Sequence, residues 1–127
     1  MKILLVDDDA FLIDMYAAKF SSLGHTVDNA KSVELALEKL RGGAVYDAVL
    51  LDMILPGMTG LELLTTVKQE NILGGAKAIV LSNQGDQRDI DAAHAAGAHG
   101  YIVKAHMIPS EVVAEVSKIV GSATQNK

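Results

Sequence analysis

The sequence predicts an α/β fold in which a mainly parallel five-stranded sheet carries helices on both faces. Short apolar runs alternate with longer segments whose apolar residues recur at helical spacing. Three of the runs are almost wholly apolar, as strands covered on both faces tend to be, whereas two are shorter or more mixed. Strand and helix alternate five times, and this alternation favours parallel strands joined by right-handed crossovers.

The five strands are predicted directly from these runs. Residues 3–6, 48–51 and 78–81 are the apolar runs and are expected in the interior of the sheet. Residues 26–30 and 101–103 are the mixed runs and suit its edges. Strands two and five at the edges give the order 2-1-3-4-5 of a flavodoxin-like sheet.

The five helices are predicted between and after the strands. Apolar residues at spacings of three and four indicate a first helix that ends before Gly24. A second helix begins after Ser32, a residue type favoured at helix N-caps, and ends at residues 42–43. A third fits residues 61–69 or slightly more, and an alanine-rich fourth fits residues 86–96. The fifth carries a closely spaced apolar set: Val112, Val113, Val116, Ile119 and Val120.

Length and composition narrow the class of protein. The 127 residues suffice for one domain, which we assign to residues 1–121, followed by a frayed tail at 122–127. A net charge of −5 offers no basic stripe for nucleic acid, and no apolar run approaches the roughly 18 residues that cross a bilayer. The absence of cysteine excludes disulfides and thiolate metal sites. Because no export signal is recognisable, we expect a cytoplasmic protein that binds neither nucleic acid nor membrane.

Polar side chains stand at the carboxyl ends of four predicted strands. Asp7-Asp8-Asp9 follows strand one, Asp52 follows strand three, Ser82 follows strand four and Lys104 follows strand five. Ligands of open α/β sheets bind beyond these ends, where the strand order reverses, so the aspartates of strands one and three should meet there. Asp9 is the exception, because we expect it to cap the following helix or lie on the surface.

This set of residue types predicts phosphoryl transfer to an aspartate. Carboxylates and nearby carbonyls are hard oxygen ligands that suit Mg²⁺, and a hydroxyl and an ammonium suit a phosphoryl group. A carboxylate is a competent nucleophile toward phosphorus once a metal ion spreads the negative charge of the transferring group. Without the metal ion and Lys104, Asp52 would meet an anion with an anion.

Four segments of the chain resemble the receiver domain of bacterial response regulators. They read ILLVDDD, VLLDMILPGMTG, IVLS and GYIVK, in the family's order and at ordinary spacing. The resemblance covers about residues 1–121, which leaves no room for an effector domain and is similar to stand-alone, chemotaxis-type regulators. It implies a phosphoacceptor signalling domain of a two-component phosphorelay, one that promotes only its own phosphorylation and dephosphorylation.

The resemblance also implies partners. A sensor histidine kinase or phosphotransfer protein would donate the phosphoryl group. The face formed by the fourth helix, fifth strand and fifth helix would then bind a downstream protein, whose identity the sequence does not give. A second copy of the chain is the other candidate for this face, so the protein would be a monomer or a phosphorylation-dependent homodimer.

The acidic residues take specific roles by this resemblance. Asp52 would be the phosphoacceptor and would also contact the metal ion. Asp8 would be a direct Mg²⁺ ligand, and Asp7 an acidic partner that acts on the metal ion through water. Ile54 would contribute its backbone carbonyl to the metal ion.

The remaining roles concern the phosphoryl group and the switch. Ser82 would hydrogen-bond a phosphoryl oxygen, and Lys104 would form a salt bridge to it. Tyr101 is similar to the family's switch aromatic, which changes rotamer as the hydroxyl residue, here Ser82, moves.

Three positions are expected to tune access and rates. Ala105 follows Lys104 where the family usually has proline, often after a cis peptide, so either a strained cis peptide is retained or the loop differs. Asn83 stands where a very small residue is usual, and its bulk would narrow the path of the phosphodonor. Gln84 would lie near the path of the hydrolytic water.

Two alternatives remain open. In a haloacid-dehalogenase-like phosphatase, Asp7-Asp8-Asp9, Ser82 and Lys104 would be the first three motifs, but Phe11 stands where threonine or valine is expected and Asp86 precedes the lysine. The other alternative is an interaction module that keeps the fold without switching, which the departures at positions 83 and 105 would allow. A dinucleotide-binding domain is disfavoured, because no G-x-G-x-x-G follows strand one.

Overall fold

The computed structural model describes residues 1–55, 57–83 and 85–125, of which 122–125 for the backbone alone. Strands and α-helices alternate five times along this part of the chain, and a 3-10 turn precedes the last helix. In chain order the elements are β1 (Lys2–Val6), α1 (Ala10–Ser22), β2 (Thr26–Ala30), α2 (Val33–Arg41), β3 (Ala48–Leu51), α3 (Gly60–Glu70), β4 (Lys77–Ser82), α4 (Gln87–Ala95), β5 (Gly100–Val103), the 3-10 turn (Lys104–His106) and α5 (Pro109–Gln125).

The five strands form one parallel sheet. Their order is β2-β1-β3-β4-β5, which confirms the predicted fold and the predicted edge strands. Every residue of the central strand β3 is buried, whereas the edge strands β2 and β5 are only partly covered. None of the helices in the described part of the chain combines the length and the apolar composition that a membrane span requires.

Alternate side chains of each strand enter one of two apolar cores. In β1, Leu4 and Val6 face the core beneath α2, α3 and α4, whereas Ile3 and Leu5 face the core beneath α1 and α5. This is the period-2 alternation of a strand that is covered on both faces. Among the residues of α4, Ala93 is the one that is buried, so this helix is held by a small apolar contact.

The ends of the helices agree with the capping residues in the sequence. Asp9 caps α1 as expected, since its carboxylate accepts from the backbone N–H groups of Phe11 and Leu12 at 2.9 and 3.3 Å. Ser32 caps α2 in the same way. The sequence did not predict the 3-10 turn that follows β5. Helix α5 continues to Gln125 and so includes the backbone of residues 122–125 of the expected tail, whereas residues 126–127 lie outside the described residues.

The strand register brings Asp7 and Asp52 side by side. Val6 pairs with Leu51 at the last position of the β1–β3 ladder, so the next residue of each strand stands at the same edge of the sheet. The N–H of Asp52 donates to the carbonyl of Val6 at 3.2 Å, and the N–H of Asp7 donates to the carbonyl of Ala30 at 3.2 Å. These hydrogen bonds extend the two ladders by one residue and fix the backbone from which both acidic side chains project.

Gly60 holds the chain close behind Asp52. The N–H of this first residue of α3 donates to the carbonyl of Met53 at 2.9 Å. A Cβ atom at this position would clash with the backbone carbonyl oxygen of Asp52 and would lie 2.8 Å from the Cα of Met53. Glycine is therefore required here because two stretches of backbone approach each other closely.

We expect Gly60→Ala to lower the free energy of unfolding by about 1 to 3 kcal/mol, because the added methyl group forces backbone apart. Urea unfolding followed by circular dichroism measures this. Gly75→Ala is the matched control, since a Cβ at Gly75 would meet no heavy atom within 4 Å. Equal stabilities of the two variants would contradict the close approach at Gly60.

Candidate functional site

Lys104 connects the carboxylates of Asp7 and Asp52. Its Nζ donates to Asp7 Oδ2 at 3.1 Å and to Asp52 Oδ2 at 3.0 Å. The three side chains are largely shielded from water, with exposed fractions of 7% for Lys104, 5% for Asp7 and 17% for Asp52. Residues from the ends of β1, β3 and β5 thus meet in one buried ion cluster, and its two carboxylates and one ammonium leave a formal charge of −1.

Backbone amides orient the two carboxylates. The N–H of Asp9 donates to Asp7 Oδ1 at 3.0 Å, and the N–H of Ile54 donates to Asp52 Oδ1 at 3.2 Å. Each carboxylate therefore has one oxygen bound by the loop that follows it and the other bound by Lys104. Bonds on both oxygens restrict rotation of the side chain, so the reactive groups are held in place by the strand ends and their loops.

The Lys104 ammonium remains charged despite its burial. Burial by itself lowers the pKa of this lysine, because it disfavours the charged form. The hydrogen bond and charge of Asp52, followed by those of Asp7, outweigh that effect, so the pKa of Lys104 is raised. The cluster therefore has a permanent positive charge between its two acids at neutral pH.

Ser82 and Tyr101 lie together beside this cluster. Ser82, the last residue of β4, is 1% exposed, and its side chain is hydrogen-bonded to that of the partly buried Tyr101. Burial raises the pKa of Tyr101, the hydrogen bond with Ser82 lowers it, and the charges of Asp89 and Asp52 raise it further. The phenol of Tyr101 is therefore close enough to Asp52 to respond to its charge.

The other predicted residues lie around the edge of the site. Asp8 is exposed and is the one acidic residue of the predicted metal set that does not contact Lys104. Asn83 and Ala105 are also exposed, and Ile54 has a side chain exposed to 63%. The Lys104–Ala105 peptide is trans and begins the 3-10 turn, so the loop differs from one with a cis peptide. Gln84 lies outside the described residues.

The donor set is chemically suited to a hard divalent cation. Asp7 and Asp52 point carboxylate oxygens at one common nitrogen, so those oxygens are near each other, and both are ligands of the type that Mg²⁺ prefers. Within the described ranges, however, no three His, Cys, Asp or Glu side chains are already grouped as a metal site. Asp8 is exposed at the surface and is not grouped with Asp7 and Asp52.

Tyr16 is a residue near the site whose position the sequence did not reveal. It belongs to the buried stripe of α1 and is 3% exposed. Burial raises the pKa of its phenol, while the charge of Lys104 lowers it and that of Asp7 raises it. Its position in the apolar stripe of a helix predicts only a core residue. The one feature of the sequence that could have indicated a place near the site is the polar hydroxyl of this tyrosine within an otherwise apolar stripe.

We expect the pKa of Lys104 to lie above the value of about 10.4 found for lysine in unfolded chains. A pKa raised in the folded state contributes stability below pH 10.4 that is lost as pH rises through the folded value. Because Asp52 raises this pKa most, Asp52→Asn should lower it. NMR titration of the lysine side chains measures the pKa of Lys104 in the wild-type protein and in this variant. Asp8→Asn is the control, and an equal decrease in that variant would contradict the contact geometry.

Comparison with known proteins identifies the family. The profile described as "Response regulator receiver domain" matches residues 3–116. The chain is 32% identical over 104 residues to the two-component response regulator PhoP of Pseudomonas aeruginosa, covering 82% of this chain and 45% of that protein. It is 30% identical over 124 residues to the transcriptional regulatory protein ResD of Bacillus subtilis, covering 98% and 50%. The chain thus spans about half the length of these relatives.

Solved structures show the same fold. A CheY-like receiver domain protein from Methanospirillum hungatei superposes with a TM-score of 0.87 at 25% identity, covering 99% of this chain and 98% of that one. The chemotaxis response regulator CheY4 of Vibrio cholerae superposes with a TM-score of 0.84 at 24% identity, covering 93% and 97%. With the profile match over most of its length, the chain belongs to the response regulator receiver domain family.

Proposed function

We propose that Asp52 is the residue of this receiver domain that accepts the phosphoryl group. The observation that carries the proposal is the buried cluster in which Lys104 contacts both Asp7 and Asp52. A carboxylate oxygen of Asp52 attacks the phosphorus of the donor, and the bond to the donor's leaving group breaks with its electron pair. Lys104, already 3.0 Å from Asp52, then has a phosphoryl oxygen as a partner in place of the carboxylate.

The charge of the cluster supports a requirement for Mg²⁺. An aspartyl phosphate has more negative charge than the carboxylate that it replaces, and the cluster starts from a formal charge of −1. Asp7, Asp8, Asp52 and the carbonyl of Ile54 would hold the ion, with Asp8 turning in from the surface. When bound, the ion supplies positive charge against the transferring group.

Ser82 and Tyr101 are proposed as the switch. The Ser82 hydroxyl is now shared with Tyr101, and a phosphoryl group on Asp52 would compete for it. If the hydroxyl turns to the phosphoryl oxygen, Tyr101 loses that partner and is free to change its packing. Helix α4 lies next to this pair and buries one residue, so it can shift at small cost and alter the face that it forms with β5 and α5.

The phosphodonor is proposed to be a histidine kinase or a phosphotransfer protein that docks over the ends of the strands. Phe11, Ile54 and Ile108 are exposed to 75%, 63% and 61%, and they follow the carboxyl ends of β1, β3 and β5 respectively. Exposed apolar side chains around a reactive group are typical of a protein interface. Asn83 and Ala105, both exposed at the same edge, are placed to tune access to Asp52.

Phosphorylation of Asp52 is tested with acetyl phosphate and Mg²⁺ followed by intact-mass measurement. We expect one base-labile adduct on the wild-type protein and none on Asp52→Asn, because the attacking oxygen is removed. Asp14→Asn is the matched control, since Asp14 is an exposed residue of α1. An adduct that persists in Asp52→Asn would contradict the assignment of Asp52 as the phosphoacceptor. Turnover of a generic phosphate ester would favour the phosphatase alternative.

The switch is tested by amide hydrogen exchange with beryllofluoride and Mg²⁺, which together mimic the phosphoryl group. We expect altered protection of residues 87–101 in the wild-type protein and a much smaller change in Ser82→Ala, because the hydroxyl that would turn from Tyr101 to the phosphoryl group is lost. Ser22→Ala is the control, since the hydroxyl of the exposed Ser22 donates to the carbonyl of Lys19 in the same helix. Unchanged protection in a wild-type protein that binds the fluoride would support the non-switching alternative.

A further inference from the structure

A cavity opens at the edge of the sheet where the strands begin, opposite the edge that carries Asp52. Its volume is about 410 Å³, within the range of small-molecule sites. Lys77, the first residue of β4, and His99, which precedes β5, line it together with the last turn of α3. Because β4 runs from this cavity to Ser82, the two sites lie about 17 Å apart along that strand.

The lining of this cavity is basic above an apolar floor. Leu64, Val67 and Leu73 supply the floor, and every titratable side chain among the described lining residues is basic: Lys68, Lys77 and His99. Neither lysine forms an ion pair with any residue that the structure describes. A concave surface whose described titratable side chains are all basic attracts anions, even in a chain with a net charge of −5.

The backbone orients the imidazole of His99. The N–H of Ala78 donates to His99 Nδ1 at 3.0 Å, and the N–H of His99 donates to the carbonyl of Ala78 at 2.7 Å. Since Nδ1 accepts a hydrogen bond, the proton of the neutral ring is on Nε2. This second nitrogen is a donor with a fixed direction on a residue that lines the cavity.

Other groups beside the cavity also affect its charge, among them Asp47, whose carbonyl accepts from the N–H of Lys77 at 3.0 Å. The end of α3 presents carbonyl oxygens, and two of them already have partners: that of Lys68 accepts from the N–H of Asn71, and that of Val67 accepts from the N–H of Ile72. The exposed side chain of Lys68 passes close to Gly97, since a Cβ at that position would lie 3.3 Å from the Cδ of Lys68. The charge of Lys77 also reaches His99, whose pKa is lowered by burial first and by this charge second.

We propose that this cavity binds a small amphipathic anion, with a phosphate or carboxylate head group on a short apolar body. Lys77, Lys68 and the Nε2 of His99 would bind the head group. The apolar body would cover Leu64, Val67 and Leu73. None of these residues belongs to the Asp52 site, so the inference is independent of the function proposed for that site.

The test is a set of NMR titrations of the isotope-labelled protein without Mg²⁺, using phenyl phosphate, benzoate and phenol as probes. We expect saturable shifts of the amides of Gly74, Gly75 and Gly97 and of the His99 ring, with no saturable shift at Asp52. At least one of the two anions should bind about tenfold more tightly than neutral phenol, as expected for a charge-assisted hydrogen bond. The stronger of the two identifies the head group.

Matched lysine variants separate a built site from general attraction. Lys77→Gln should weaken binding of that anion about tenfold, whereas Lys19→Gln, a partly exposed lysine of α1 away from the cavity, should change it less than twofold. Both variants should keep the wild-type amide spectrum elsewhere. The proposal is overturned by the absence of saturable shifts, by phenol binding as tightly as both anions, or by equal effects of the two variants.

Discussion

The ammonium of Lys104, held between the carboxylates of Asp7 and Asp52, is the interaction on which the site depends. Three ionised groups with little exposure to water are costly, and their mutual attraction offsets that cost only when the geometry is good. The sheet supplies this geometry, because β1, β3 and β5 end at one edge and the following loops donate N–H groups to both carboxylates. Such a cluster contributes little to the stability of the fold. It is, however, sensitive to any change in the charge of one of its members.

The same constraint explains how the surroundings are built. The chain behind Asp52 has to pass so close that only glycine fits at position 60, and the capping box of Thr59 and Glu62 starts α3 immediately beside it. Ser82 and Tyr101 lie within reach of the charge of Asp52 and share a hydrogen bond. The rigid parts of the fold thus position the acidic residues, whereas the lightly anchored α4 stands next to the pair that would respond to them.

The sequence predicted much of this arrangement, and for a physical reason. Strands covered on both faces require continuous apolar runs, so β1, β3 and β4 were recognisable without the structure, and the mixed runs had to be edges. With the edge strands known, few strand orders remain possible. The observed order brings Asp7, Asp52 and Lys104 to the edge of the sheet formed by the carboxyl ends of the strands. The 3-10 turn at Lys104–His106 and the extent of α5 were not predictable, because short turns and helix ends depend on local contacts rather than on periodicity.

By itself, the sequence determined the fold class, the strand order, the family and the residues that stand at the strand ends. Only the tertiary structure decided which of these residues make contact: Lys104 joins Asp7 and Asp52, whereas Asp8 remains at the surface. It alone placed Tyr16 near the charged cluster and gathered Lys68, Lys77 and His99 around a cavity at the other edge. Periodicity records which side of an element is buried, but contacts between residues distant in sequence depend on how the elements pack.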